Sequence, residues 1–329
     1  MLGGLNKIVD RNFLVGYLLP ATALLGGGIG IVDLFDVRPE WARLSQDDLI
    51  KDSTILAAIA LLTAFVLMAL NSVILRAFEG YFFFGLYQHL NFFYVWFWRY
   101  HDKKIKEIRK TQAKSKDNTV PIDERPVFAS KDRLELMHHL ESMSKNFPSE
   151  EHRVLPTRFG NAIAAFEDYS MVLYGFEMIT GWSRLNAVVP KDYREIMDGA
   201  RADMDMWMNL WLATYLLMLQ YACLAIFLGC APAAGSILIG LPGMSVLMGW
   251  MSHKAAVQWG EWIKGAFDVY LPKLRDELGL TDHDDSREER EMWKLYSQVM
   301  VYRNEKALDK LLECYSTAAS GHPDDYAAP

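Results

Sequence analysis

The chain has 329 residues, 51% of them hydrophobic and 13% aromatic, and carries a formal net charge of −7. That acidic balance excludes a general nucleic-acid binder. Three cysteines, Cys223, Cys230 and Cys314, with no C-x-x-C spacing among them, exclude a disulfide framework and a cysteine-held zinc knuckle.

The mean hydropathy of +0.02 averages two kinds of sequence. Apolar stretches at 13–34, 54–75, 206–229 and 233–250 alternate with strongly charged ones. A hydrocarbon core of about 30 Å needs about 20 helical residues, so each stretch is long enough, or nearly so, to cross a bilayer. The first, Phe13 to Leu34, contains Pro20 and the glycines Gly26, Gly27, Gly28 and Gly30. Pro20-Ala21-Thr22-Ala23 resembles a signal-peptidase site, but the apolar run continues to Val32, which favours an uncleaved span. The second runs from Thr54 to Leu75. The third and fourth are separated by Cys230-Ala231-Pro232, a connection short enough to make them a helical hairpin.

Orientation follows from Lys and Arg near the span ends. Segment 99–116 holds Arg99, Lys103, Lys104, Lys106, Arg109, Lys110, Lys114 and Lys116, whereas 35–53 holds Arg38, Arg43 and Lys51 against five acids. The expected layout has a cytoplasmic N-terminus over 1–12 and two spans within 13–75 joined by an external loop at 35–53. A cytoplasmic helical region over 76–205, the hairpin at 206–250, and cytoplasmic amphipathic helices with a disordered tail over 251–329 complete it. The expected fold class is therefore an all-α integral membrane protein, with four transmembrane helices and a helical cytoplasmic layer. The expected location is the bacterial inner membrane, with both termini cytoplasmic.

Aromatic residues mark the interfaces. Tyr81–Phe84 and Phe92–Trp98 form an aromatic run that includes Trp96 and Trp98, and Trp259 and Trp262 follow the fourth span. Trp and Tyr collect where oil meets water, and the basic residues after Trp98 suit anionic headgroups. A linker is expected over 112–130 and a helix from Lys131 to Asn146, with Leu136, Leu140 and Met143 at helical spacing. His138 and His139 are adjacent there and point about 100° apart, so they cannot chelate one metal together. Thr157 is placed to cap a further helix with a stripe of Phe159, Ile163 and Phe166. In the tail, Pro272 is expected to bend or end a helix. Asp282–Ser286 is expected to start another that runs to about Tyr315.

Leu155–Arg158, Gly160-Asn161, Glu167–Tyr169 and Tyr174-Gly175 form the nearest approach to a motif. These pieces resemble a segment of uncharacterised bacterial membrane proteins, a resemblance that implies a membrane protein with a cytoplasmic segment and brings no activity with it. Chemically, Arg158 can grip an oxyanion in a bidentate fork, and Glu167 and Asp168 can hold a hydrated cation. Arg158, Asn161, Glu167 and Asp168 are therefore the candidate ligand-binding residues. The competing structural reading makes them an ion-pair network, with Gly160 permitting close packing and Tyr169 or Tyr174 donating a hydrogen bond.

No G-x-S-x-G elbow, Walker A loop, H-E-x-x-H pair or G-x-G-x-x-G fingerprint occurs. No catalytic residue, metal or cofactor is expected. Gly26 and Gly30, four apart, suit close helix–helix contact in lipid. Away from their edges the spans carry no ionisable residue, which argues against an ion-coupled pump. His253, beside Lys254, reads as a solvated flank residue. The leading expectation is a non-enzymatic oligomeric sensor, scaffold or membrane-perturbing effector of the kind used in bacterial defence. Its partners would be the lipid bilayer, other copies of itself, and a cytoplasmic protein or small ligand. The alternative is an oligomeric channel lined by Asn71, Thr22, Asn209, Thr214 or Gln220. A membrane-anchored enzyme using Arg158, Glu167 and Asp168 is the third reading.

Overall fold

In the computed structural model, residues 11–37, 49–81, 91–116, 130–282 and 285–313 are described. Their regular elements are all helices, with no strand among them. In chain order the helices are α1 (Arg11–Leu34), α2 (Leu49–Glu79), α3 (Phe92–Lys116), α4 (Ser130–Asn146), α5 (Arg158–Tyr174), α6 (Met178–Val188), α7 (Lys191–Leu228), α8 (Ala234–Glu277), α9 (Ser286–Tyr302) and α10 (Glu305–Glu313). Four of these, α1, α2, α7 and α8, are long and apolar enough to cross a membrane. Most of the external loop 35–53, Phe82–Phe84 of the aromatic run, most of the linker 112–130 and the chain beyond residue 313 lie outside the described residues.

Helix ends are where the structure departs from the apolar pattern. α7 begins at Lys191, fifteen residues ahead of the apolar run, because 191–205 is a charged but helix-competent sequence that continues the same helix. α8 runs through Pro272 to Glu277. A proline inside a helix forfeits one backbone bond, and here Leu271 and Leu274 on either side are 1% and 3% exposed, so their burial holds the turn together. The helix stops instead at Gly279, whose φ of 68° permits a Schellman closure. Leu280 N donates to Arg275 O at 3.1 Å and Gly279 N to Asp276 O at 3.0 Å. The expected single tail helix is two, because Arg303 adopts φ 49°. Asn304 then caps α10 through its side-chain oxygen, which accepts from Lys306 N at 3.1 Å. Asp285 caps α9 as its sequence position implies, accepting from Arg287 N at 2.8 Å.

The described helices fall into two compact units. The first comprises Met1–Asn91, Leu155–Gly160 and Ile196–Trp259, and so holds α1, α2 and the apolar parts of α7 and α8. Its hairpin turn places Gly229 and Ala233 at positive φ, and Tyr221 Oη donates to Pro232 O at 3.0 Å to close it. Ile31, Phe35 and Tyr221 pack together near that end, with Leu217, Leu224 and Ile237 against them.

The second unit comprises Phe92–Val154, Asn161–Glu195 and Gly260–Pro329. Phe176, Phe267, Trp293 and Tyr296 form its aromatic centre, with Phe176 edge-on to Trp293 at 5.0 Å between ring centroids. α3 and α4 pair within it, tied where Trp98 Nε1 donates to Pro148 O at 3.0 Å, and Lys264 Nζ of α8 donates to Ser144 O of α4 at 2.9 Å. Trp96 is exposed and stacks on Tyr100 at 6.3 Å. Trp262 is half-buried and its carbonyl accepts from Tyr193 Oη at 2.9 Å.

Candidate functional site

The motif-like segment is a joint between elements of the first unit. Thr157 Oγ1 accepts from Gly160 N at 2.9 Å, the side-chain N-cap of α5. The same hydroxyl faces the C-terminal carbonyls of α2, Phe78 O at 2.7 Å and Glu79 O at 3.1 Å. One threonine therefore serves the orphan N–H groups of one helix and the orphan C=O groups of another. A Cβ on Gly160 would stand 2.3 Å from Glu79 O and 2.8 Å from Glu79 Cα. Only glycine lets the two helix ends meet there. His253 is 2% exposed rather than a solvated flank residue, and its ring meets the Arg158 backbone. The Arg158 side chain is exposed.

The four candidate ligand residues do not converge. Arg158 and Asp168 are ten residues apart on one helix, about 15 Å along its axis. In the second unit, Asn161 is fully buried and Asp168 is 3% exposed. Asp168 pairs with Arg153 and accepts from Ser149 N and Ser149 Oγ, each at 2.8 Å, so its carboxylate is taken by its own chain. Burial pushes the Glu167 carboxyl up, against the pull of Arg153. Tyr169 and Tyr174 both donate to Asp268, at 2.9 and 2.7 Å. Burial and that carboxylate raise both phenols well above their ordinary range. Parts of the structural reading are present, namely the close packing at Gly160 and the tyrosine hydrogen bonds, but the basic partner of Asp168 is Arg153 rather than Arg158.

Sequence reasoning had considered His138 with His139; the close pair is instead His101 with His139, Nδ1 to Nδ1 at 2.8 Å, joining α3 to α4. Burial, then the His139 and His138 rings beside it, pulls the His101 imidazole below its usual range. Glu135, 3.8 Å from His139 Nε2, is the charged partner on the other side of the pair. A base whose folded value lies below its unfolded value of about 6.5 contributes stability above that pH and loses it as pH falls through the folded value. The thermal midpoint followed by circular dichroism should therefore drop between about pH 7 and pH 5, and His101→Gln should flatten that drop. An identical slope in the variant would remove His101 as its source.

Within the first unit, sequence reasoning missed the most concentrated polar site. Asp205 lies one residue outside the third apolar run, at the end of the stretch 76–205 assigned to the cytoplasmic region. It is 3% exposed. Its carboxylate accepts from Tyr17 Oη at 2.9 Å and from Asn71 Nδ2 at 3.3 Å, and Arg201 Nε lies 4.0 Å away. One turn on, Asn209 Nδ2 donates to Gly16 O at 2.9 Å. Gly16 and Tyr17 belong to Leu14–Leu18, a π-helical turn inside α1, and such widened turns recur at functional sites. Residues from α1, α2 and α7 thus meet at one carboxylate. The signal was present as Asp205 and Asn209 at i, i+4, on one helix face.

The proposed pore residues are engaged within the chain. Asn71 serves Asp205 and Asn209 serves Gly16; Thr214 Oγ1 donates to Trp211 O at 2.7 Å, Gln220 Nε2 to Gly28 O at 3.0 Å, and Thr22 Oγ1 to Leu19 O at 2.8 Å. The glycines of α1 divide by face. A Cβ on Gly27 would meet Leu217 Cδ1 at 2.8 Å and one on Gly28 would meet Gln220 Oε1 at 3.1 Å, whereas Gly26 and Gly30 have open space above them. Packing inside the chain uses Gly27 and Gly28, and leaves the Gly26–Gly30 face uncovered.

No protein-family model, curated protein or solved structure matches this chain. Its chemistry must be read from its own residues. Among the described residues no group of three His, Cys, Asp or Glu side chains is placed to hold a metal ion. Asp205 is a single carboxylate that accepts from an amide and a phenol, with Arg201 4.0 Å away.

Proposed function

We propose that the protein is a non-enzymatic, homo-oligomeric protein of the bacterial inner membrane, acting as a sensor or scaffold that passes a cytoplasmic event to the bilayer as a membrane-perturbing effector. Both termini, 76–205 and 251–329 lie in the cytoplasm in this reading, as the basic residues of 99–116 require. The observation that carries it is the uncovered apolar surface of the four long helices. No more than 22% of the apolar stretch of any of them is buried, and Leu62, Ile226, Phe227 and Ile239 are 65–89% exposed. Apolar surface on that scale is sustained in lipid or against other copies of the chain.

The uncovered face of α1 supports self-association. Thr22, Gly26 and Gly30 recur every four residues and all are exposed, the small-x-x-x-small spacing that lets helix backbones approach in a membrane. The purified protein in nanodiscs should run as a discrete oligomer by mass photometry. Gly26→Leu with Gly30→Leu should reduce it to monomer without lowering its thermal midpoint, because a Cβ at either position meets nothing within the chain. A wild-type monomer under the same conditions would refute the oligomeric reading.

A further inference from the structure

The Asp205 centre holds more acceptors than donors. The side chains of Asn71 and Asn209 are 8% and 1% exposed, and the Oδ1 atom of each is buried with no hydrogen-bond partner. Buried amide oxygens are nearly always satisfied, so two orphans call for an explanation, one on the asparagine bonded to Asp205 and one on the asparagine a turn along α7. Turning either amide over does not supply one. It would set the Asn71 oxygen against the Asp205 carboxylate and the Asn209 oxygen against the Gly16 carbonyl, two acceptors face to face. Both orientations are fixed by the bonds the NH2 groups already make.

A water donating to these oxygens would satisfy them and leave the carboxylate's charge without a close counter-charge. A cation would satisfy the two amide oxygens and balance a buried carboxylate whose nearest counter-charge, Arg201, is 4.0 Å away with its side chain 52% exposed. The ligand set is all oxygen, which selects a hard ion. It carries a single formal negative charge, which suits a monovalent ion better than calcium or magnesium, whose sites draw on more carboxylate oxygens. The π-helical turn at Leu14–Leu18 contributes by bringing Gly16 O and Tyr17 Oη to the same layer as Asp205 and Asn209.

We propose that Asp205, Asn71 Oδ1 and Asn209 Oδ1 form a binding site for a monovalent cation of sodium size, which fastens α1, α2 and α7 together. The inference stands on these side chains alone and is independent of oligomeric state. Arg201 is the competing charge: it approaches Asp205 while its guanidinium lies 5.7 Å from the centroid of the Trp259 ring. Removing it should strengthen the ion's hold.

The test uses the full chain in nanodiscs. Thermal unfolding is followed as sodium chloride replaces N-methylglucamine chloride at constant ionic strength, with sodium-23 NMR relaxation as a direct readout of binding. The midpoint should rise saturably with sodium, by several degrees, as it does for any ligand that binds only the folded state. Asp205→Asn, which still accepts from Tyr17, should abolish the rise. Arg201→Gln should lower the half-saturating sodium concentration by about fivefold. Asn209→Leu, which keeps the carboxylate and deletes one orphan oxygen, serves if Asp205→Asn fails to fold, and should also lose the response. Equal midpoints in the two salts for the wild type, as an internal water would give, or a sodium response retained in either Asp205→Asn or Asn209→Leu, would overturn the proposal.

Discussion

Gly160→Val should be severely damaging. The new Cβ would fall 2.3 Å from Glu79 O and 2.8 Å from Glu79 Cα, both backbone atoms at the last residue of α2. No rotamer relieves a backbone clash, so α5 and α2 must separate at their junction. A separated junction strands the Thr157 hydroxyl, which otherwise bridges Gly160 N and Phe78 O. The cost should be about 3 kcal/mol or more, seen as loss of a monodisperse peak and a lowered thermal midpoint in detergent. Thr157→Val keeps the close approach and deletes only the bridging hydroxyl, and should cost about 1–2 kcal/mol. If Gly160→Val were no worse than Thr157→Val, close backbone contact would not be what holds this joint.

Asp205→Leu should come second. It fills similar volume while leaving the half-buried Tyr17 Oη and the buried Asn71 Nδ2 without an acceptor. Breaking a buried network from one side costs about 3 kcal/mol, because the abandoned partners keep their desolvation penalty. Asp205→Asn retains an acceptor for Tyr17 and should cost about 1 kcal/mol. A cycle with Tyr17→Phe separates the effects. The two changes should be strongly non-additive, since the phenol's value depends on the carboxylate it bonds. Additive losses would place Tyr17 and Asp205 in separate roles.

Apolar run length located all four long helices, because twenty or so apolar residues leave few alternatives to a span. Local capping chemistry was equally legible. Thr157 caps where its position implies, because the bond is made within three residues, and the Asp285 cap falls inside the expected helix start at 282–286. The Phe159, Ile163 and Phe166 stripe is buried at 1–4% exposure, as its spacing implies.

What escaped the sequence depends on partners distant along the chain. Asp205 fell inside the range 76–205 and drew no attention there, because its partners are Tyr17, 188 positions away, and Asn71, 134 positions away. His253 was misjudged for the same reason: adjacency to Lys254 said solvent, and packing against the Arg158 backbone said otherwise. Pro272 illustrates the reverse. A strong local helix breaker was overridden by burial of Leu271 and Leu274. For the candidate ligand residues, sequence proximity on one helix suggested a site. The 3.6-residue turn and the competing claim of Arg153 on Asp168 dispersed it.

The proposed topology crosses the bilayer four times, with the hairpin turn on one side and α3 on the other. Cys230 lies exposed in that turn, and Lys103 is an exposed residue of α3. With the other cysteines changed to serine, Cys230 should react with a membrane-impermeant maleimide added to intact spheroplasts. Lys103→Cys in a cysteine-free chain should react only after the membrane is opened. Labelling of both positions from the same side, or of neither until the membrane is opened, would contradict the account.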